Sequence, residues 1–320
     1  MYAKWGIMRL ALDSRHMTLA WRRRVCFVII ALSVLTSFAV SEAKASDCDA
    51  VLRGQVQAAL SAGDLNHAKT FFLDVTERCN PEYQKWVGNQ IALRIYNAVS
   101  GTPSKAALEE ALHYGSPWQA FAALGDIEVS TRDWAQADER YQQALAAIAD
   151  PKGTPDSPGE AIILSLKRKA EQAGLLAQSY VGTLRGRDGE NEGLAAANIR
   201  GVTIVSVALP VQFEFDSTEL TEQGRTAAKD MADFVRNSNP PLSSITLIGH
   251  ADPRGSDVGN MVLSNERAQA LASFLRTNGV NIDIRTDGRG SNDPYQPDQP
   301  SKYTQEELWQ MDRRVELVRH

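Results

Sequence analysis

The hydrophobic residues of this 320-residue chain change their spacing near residue 200, and this change constrains the fold more than any other feature. Over residues 46–180, apolar residues recur at the three- and four-residue intervals of amphipathic helices. Over residues 201–320, β-branched runs alternate with helical ones, which is the order of a strand–helix sandwich. Residues 181–200, rich in glycine and charge, are predicted to link the halves. The sequence therefore predicts an all-α domain followed by a two-layer α/β sandwich.

The first 45 residues have the layout of a secretory signal. Three arginines at 22–24 precede an apolar run at 25–40, and small residues at Ala43 and Ala45 offer a cleavage site. The run is shorter than the roughly 20 residues that a membrane-spanning helix needs. An uncleaved membrane anchor is the alternative, and both readings export the chain to the periplasm. Met17 is the predicted start, because the residues before it add nothing to the signal.

Charge argues against a nucleic-acid partner. Residues 1–45 carry a net charge of +5, so their removal takes the chain from −5 to −10. A protein this acidic has no overall field that attracts nucleic acid or anionic lipid. Any anionic ligand must therefore be held by a local site.

Two cysteines remain after the signal, Cys48 and Cys79. An even pair in an oxidising compartment favours a disulfide, with two packed free thiols as the alternative. Closing a loop of about 31 residues contributes roughly 3–4 kcal/mol in the chain-entropy model.

One helical segment has a sharper pattern than the rest: "AFAALGDIEVSTRDWAQADERYQQALAAIADP". Small residues at Gly125, Ala137 and Ala144 allow two antiparallel helices to approach closely, while Leu124 and Tyr141 fill the space between them. The segment resembles a tetratricopeptide repeat, and Ala68 and Phe72 occupy similar positions in an earlier, weaker copy. Three degenerate repeats and a capping helix are predicted over 46–180, with a plain helical bundle as the alternative. The resemblance implies a groove for a protein or peptide partner.

Five motifs follow one another in the C-terminal half: "FEFDSTEL" (213–220), "GHADPRG" (249–255), "LSNERAQAL" (263–271), "GRGSNDP" (288–294) and "DRRVEL" (312–317). Their order and spacing resemble the OmpA-like peptidoglycan-binding family. The resemblance implies binding to the diaminopimelate of peptidoglycan stem peptides, through Asp252 in the first loop and Arg267 on the helix after it. A carboxylate for the ligand's ammonium and a guanidinium for its carboxylate form a matched clamp. A buried ion pair between Asp252 and Arg267 is the structural alternative.

Several other residues at family positions carry weaker expectations. Asp216, together with Ser217, is predicted to cap the following helix and is a secondary ligand candidate. Asn260 and Arg313 are secondary candidates too, with loop-bracing and sheet-edge roles expected. His250 is expected to be packed and hydrogen-bonded, because no nucleophile or metal-ligand spacing accompanies it.

Two positions depart from the family's pattern. Gly259 stands where an aromatic residue is usual, which loosens one wall of the pocket. Asp312 stands where an asparagine is common, which adds an acid at the edge of the site. Both departures bear on affinity.

These observations predict a non-catalytic, wall-associated periplasmic protein with no cofactor and no metal, and attachment at the outer membrane is one option for its location. The alternative is an assembly scaffold for an envelope complex in which wall binding only sets location. A flagellar stator protein is disfavoured because the apolar run at 25–40 carries no acid. An outer-membrane barrel is disfavoured because residues 49–180 have a helical period.

Overall fold

The structure is a computed structural model, and it describes residues 48–177, 196–238 and 241–320. The predicted signal at 1–45 and most of the predicted linker lie outside these residues. Among the helices that are described, none is long and apolar enough to cross a membrane.

The N-terminal half is helical, as predicted. It contains α1 (Ala50–Ala62), α2 (Leu65–Arg78), α3 (Pro81–Val99), α4 (Lys105–Tyr114), α5 (Trp118–Ser130), α6 (Trp134–Ala149) and α7 (Glu160–Leu176). Side-chain oxygens of Asp49, Asp64, Asn80 and Asp133 accept hydrogen bonds from first-turn amides, so local sequence fixes where four of these helices begin. Each helix packs on the next. This arrangement is compatible with tetratricopeptide-like pairs, and assignment to that family stays a prediction.

The predicted close approach of two helices is present between α5 and α6. A Cβ atom on Gly125 would lie 2.6 Å from the Tyr141 ring, so only glycine leaves room for the ring. Leu124, Ala137 and Ala144 are fully buried beside this contact. At the start of the half, Cys48 and Cys79 form a disulfide, as the sequence predicts.

The C-terminal half is the predicted α/β sandwich. A short hairpin of β1 (Asn198–Ile199) and β2 (Val202–Thr203) precedes β3 (Ser206–Leu209), β4 (Ser244–Gly249), β5 (Asp283–Gly288) and β6 (Val315–Arg319). The four longer strands form one sheet in the order β3-β6-β4-β5, in which only β4 and β5 are parallel. The helices are α8 (Glu222–Arg236), α9 (Asp257–Thr277) and α10 (Gln305–Asp312). Helices α8 and α9 share one hydrophobic core with the sheet.

One expectation about α8 is wrong. Asp216 and Ser217 do not cap it, because the helix begins at Glu222 and the Thr221 side chain accepts from the Gly224 amide. The residues between are held in a tight turn, in which Phe213 bridges to Leu220. Asp216 lies in this turn with φ 49°, a left-handed conformation that Asp tolerates better than most residues.

Helix α7 joins the two halves. It packs against β3, the edge strand of the sheet, and the buried Glu171 carboxylate accepts a 2.8 Å hydrogen bond from the Ala208 amide. Lys167 lies 2.7 Å from the same carboxylate and balances its charge. Burial raises the pKa of Glu171. A side chain of the helical half therefore accepts a hydrogen bond from a backbone amide of the edge strand.

Helix α10 is also attached to the helical half. The Tyr303 hydroxyl donates to Gln172 at 3.0 Å, and the Gln310 side chain donates to the Leu175 carbonyl at 3.0 Å. Tyr303 also stacks on Trp134, with ring centroids 5.9 Å apart. These contacts fix α10, which carries part of the site described next.

Candidate functional site

The loop from His250 to Gly255 connects the end of β4 to the start of α9. It begins where β4 touches α9, because a Cβ atom on Gly249 would lie only 2.1 Å from the Ser264 carbonyl oxygen. It ends at Gly255, whose φ of 92° is strained for other residues. The Ser256 hydroxyl then caps α9 by accepting from the Gly259 amide. The loop is therefore fixed at both ends, and Asp252 lies between them.

Asp252 is almost fully buried and accepts four hydrogen bonds. Oδ1 accepts from the backbone amide and Nε of Arg254, both at 3.0 Å. Oδ2 accepts from Arg254 Nη2 at 2.7 Å and from Arg313 Nη1 at 2.8 Å. Burial alone raises the pKa of Asp252, but the hydrogen bonds from Arg254 and Arg313 outweigh it and lower the pKa to about 2. The carboxylate is therefore ionised at neutral pH.

Arg267 lies on the buried face of α9, and its guanidinium is held by backbone oxygens. Nε donates to the Ser217 carbonyl at 2.9 Å, and Nη2 donates to the Glu214 carbonyl at 3.2 Å. The guanidinium also lies 5.2 Å from the centre of the Phe213 ring. Burial lowers the pKa of Arg267, and the neighbouring charge of Arg313 lowers it further. The arginine thus ties the 213–220 turn to α9.

Asp252 and Arg267 line the same cavity, of about 840 Å³. Within the part of the chain that the structure describes, they form no ion pair with each other. The buried-pair alternative raised by the sequence is therefore not what the structure contains. The cavity lies where the halves meet, and its apolar wall consists of Leu175, Pro210, Val211, Phe213, Phe215 and Leu263.

The three secondary candidates take different positions around this cavity. Asp216 lines it from the 213–220 turn. The Asn260 side chain donates to the Asp252 carbonyl at 3.0 Å and so braces the loop. Arg313 bridges two acids, with Nη1 on Asp252 and Nη2 on Glu306 at 3.0 Å. Asn260 and Arg313 thus hydrogen-bond to Asp252, while Asp216 lines the cavity from a different loop.

His250 is packed, as predicted, but its ring lacks the expected hydrogen bond. It is almost fully buried, and Nε2 lies 3.5 Å from Glu316 Oε1, beyond normal hydrogen-bond distance. Burial lowers the pKa of His250, with a further contribution from Arg314. The ring is therefore neutral at pH 7 and acts as a packing residue behind the loop.

Comparison with protein families gives a match to the OmpA family over residues 212–306. This stretch is an OmpA family domain. It contains Asp216, Asp252, Asn260 and Arg267, whereas Arg313 lies beyond the matched range.

The chain has curated relatives. It is 38% identical over 72 residues to outer membrane porin F of Pseudomonas aeruginosa, a match covering 22% of this chain and 20% of the relative. It is 32% identical over 85 residues to outer membrane protein A of Escherichia fergusonii, covering 26% of this chain and 35% of the relative. The chain thus spans a fifth to about a third of the length of these relatives.

Solved structures give matches of similar extent. The peptidoglycan-associated lipoprotein of Burkholderia pseudomallei is 25% identical, with a TM-score of 0.30, over 36% of this chain and 90% of that one. The cell wall anchor of the T6SS from Pseudomonas aeruginosa is 23% identical, with a TM-score of 0.29, over 36% of this chain and 78% of that one.

The two positions that the sequence analysis identified as departures, Gly259 and Asp312, have visible local effects. Gly259 lines the cavity and adds no side chain to its wall. Asp312 is buried, and Oδ1 accepts from the Tyr295 amide at 2.8 Å, so it holds the proline-rich segment in place. Burial raises the pKa of Asp312.

Sequence reasoning missed Arg254, Glu306 and Trp309. Arg254 lies 4.7 Å from the centre of the Trp309 ring, and its Nη1 is 3.9 Å from Glu306 Oε2. Arg254 could have been found, because it follows Asp252 by two residues in a turn that contains a proline. The other two lie on α10, and only the tertiary structure brings them to the loop.

Proposed function

We propose that this is an exported, non-catalytic envelope protein of the periplasm that binds peptidoglycan non-covalently at the cavity around Asp252 and Arg267. The ligand group is the diaminopimelate of the stem peptide. One observation carries this proposal: a buried carboxylate and a buried guanidinium line one cavity without pairing to each other. The OmpA family match supports it, because the resemblance of the motifs implies the same ligand.

The chemistry of the cavity suits a zwitterion. Diaminopimelate carries an ammonium and a carboxylate on the same carbon, so it presents both charges over a short distance. The protein's carbonyls take two hydrogen bonds from Arg267, which has five N–H donors in all and so retains donors for a ligand carboxylate. Asp252 supplies the opposite charge on the facing loop. Each charge-assisted contact contributes more than a neutral hydrogen bond.

Asp252→Asn and Arg267→Lys are expected to weaken co-sedimentation with purified sacculi by about tenfold or more each, from the loss of one charge-assisted contact. Lysine keeps the charge of Arg267 but loses the planar fork that holds a carboxylate at two points. Thermal melting shows whether each variant folds.

Asp283→Asn and Arg285→Lys are the matched controls, because these residues form an exposed pair at 3.0 Å and do not line the cavity. Both controls should sediment like the unaltered protein. Equal sedimentation of folded Asp252→Asn would show that the site is misassigned.

We propose in addition that the helical half binds a protein partner. Leu73 and Trp86 support this, since their side chains are 69% and 41% exposed on α2 and α3. In the alternative function, a scaffold for an envelope complex, this surface is primary and wall binding sets location only.

The partner proposal should be tested with the full chain. Helix α7 packs on the sheet, so a fragment ending at residue 180 would expose the face of α7 that the sheet covers. Chain carrying Asp252→Asn should recover the partner from an envelope extract, and adding Leu73→Ser with Trp86→Ala should abolish recovery. Recovery that persists in the triple variant would locate the partner elsewhere.

A further inference from the structure

The Asp252 carboxylate has no lone pair left for a ligand. A carboxylate offers about four acceptor positions, and Arg254 and Arg313 fill all of them. A ligand ammonium can therefore bind Asp252 only by replacing one of these donors.

Arg254 is the donor that can leave. Its side chain is 46% exposed, whereas that of Arg313 is 31% exposed. Arg313 is also anchored by its 3.0 Å bond to Glu306, and its backbone amide closes the end of α10. Arg254 holds the buried carboxylate with two charge-assisted bonds from a half-exposed side chain, and a ligand ammonium can replace these with charge-assisted bonds of the same kind.

Partners other than Asp252 already lie beside the Arg254 guanidinium. Glu306 Oε2 lies 3.9 Å from Arg254 Nη1, and the Trp309 ring lies under the guanidinium. Neither contact involves Asp252, so a guanidinium displaced from Asp252 has an acid and an aromatic ring within reach.

We infer that Arg254 is a specificity-determining residue, which occupies the ammonium position on Asp252 in the free protein and yields it to the ligand's ammonium. This inference rests on the proposed function. Binding then exchanges one cation for another on the same carboxylate, so a ligand without an ammonium gains nothing from Asp252.

The probes that separate these effects are free meso-diaminopimelate and pimelate, the same carbon skeleton without the amino groups. In Arg254→Gln, diaminopimelate should bind about fivefold more tightly, because no guanidinium competes with its ammonium for Asp252. Pimelate should bind no more tightly than before, since it makes no contact with Asp252. Calorimetric or NMR titration of the full chain gives both constants. Arg254→Lys keeps the charge but lacks the planar fork of arginine. Its affinity for diaminopimelate should lie between those of the unaltered protein and Arg254→Gln.

Arg285→Gln is the matched control, because Arg285 also donates to an aspartate two residues before it but lies away from the cavity. It should change neither constant. Weaker or unchanged binding of diaminopimelate by Arg254→Gln would overturn the inference. Weaker binding would show that Arg254 itself contacts the ligand. If the unaltered protein binds sacculi while Arg254→Gln shows no gain, only this inference fails. If the unaltered protein does not bind sacculi, the proposed function fails.

Discussion

Gly249→Ala is expected to lower the free energy of unfolding by about 3 kcal/mol or more, at the upper end of overpacking effects. The added Cβ would lie 2.1 Å from the carbonyl oxygen of Ser264, and this neighbour is helix backbone that cannot rotate away. Strand β4 and helix α9 must therefore separate. Because Asp252 follows three residues later, sacculus binding should fall as well. Denaturant unfolding and co-sedimentation measure the two effects.

Gly54→Ala is the matched control for this prediction. Gly54 is exposed in α1 and has no atom within 4 Å of an added Cβ. The same substitution should stabilise the protein there by up to about 1 kcal/mol, because alanine has the higher helix propensity. A Gly249→Ala protein as stable as the unaltered one would mean that β4 and α9 do not touch at this point.

Asp138→Asn is expected to raise the free energy of unfolding by roughly 4 kcal/mol at pH 7. Asp138 is buried where α6 meets Gly174 of α7, and burial raises its pKa from the ordinary 3.8 to about 8. The folded protein must therefore hold a proton that the unfolded chain has released. An asparagine has the same shape and needs no proton.

The pH dependence provides the sharper test. A carboxyl group with a raised pKa in the folded state loses its stabilising effect as pH increases, so between about pH 4 and pH 8 this one group costs roughly 1.4 kcal/mol per unit. Asp138→Asn should remove that contribution, while Glu128 and Glu171, whose pKa values are also raised by burial, retain theirs. Exposed Asp156→Asn is the control. Identical pH profiles for Asp138→Asn and the unaltered protein would contradict the assignment.

Most of the fold could be predicted because hydrophobic spacing and local breakers agree. The run "SSITLIGH" is a strand in the structure, and α9 ends just before Gly279, whose φ is 84°. Pro210, which has no N–H to donate to a neighbouring strand, directly follows β3, the edge strand. Each of these features is fixed by residues near in sequence.

The cap of α8 could not be predicted in the same way. Asp216 and Ser217 have the right side chains for a cap, but the Phe213–Leu220 bridge folds them into a turn and moves the helix start to Glu222. A contact across seven residues outweighs the preference of a single residue for a cap.

In the candidate site, too, local motifs could be predicted from the sequence and contacts between distant residues could not. Asp252 and Arg267 could be named from their motifs, but their hydrogen-bond partners could not. Arg313 and Arg254 reach Asp252, whereas backbone carbonyls of the 213–220 turn hold Arg267. These partners depend on how loops from separate motifs meet, and hydrophobic spacing carries no information about that.

The contact between α7 and β3 also affects solubility. A strand at the border of a sheet exposes amide and carbonyl groups that can pair with a second molecule, and this is a common route to aggregation. Here the Glu171 carboxylate accepts a hydrogen bond from the Ala208 amide, and α7 packs against the strand. A fragment that starts at residue 201 loses this cover. The helical half therefore protects the C-terminal half from self-association, and a soluble fragment has to begin before Glu160.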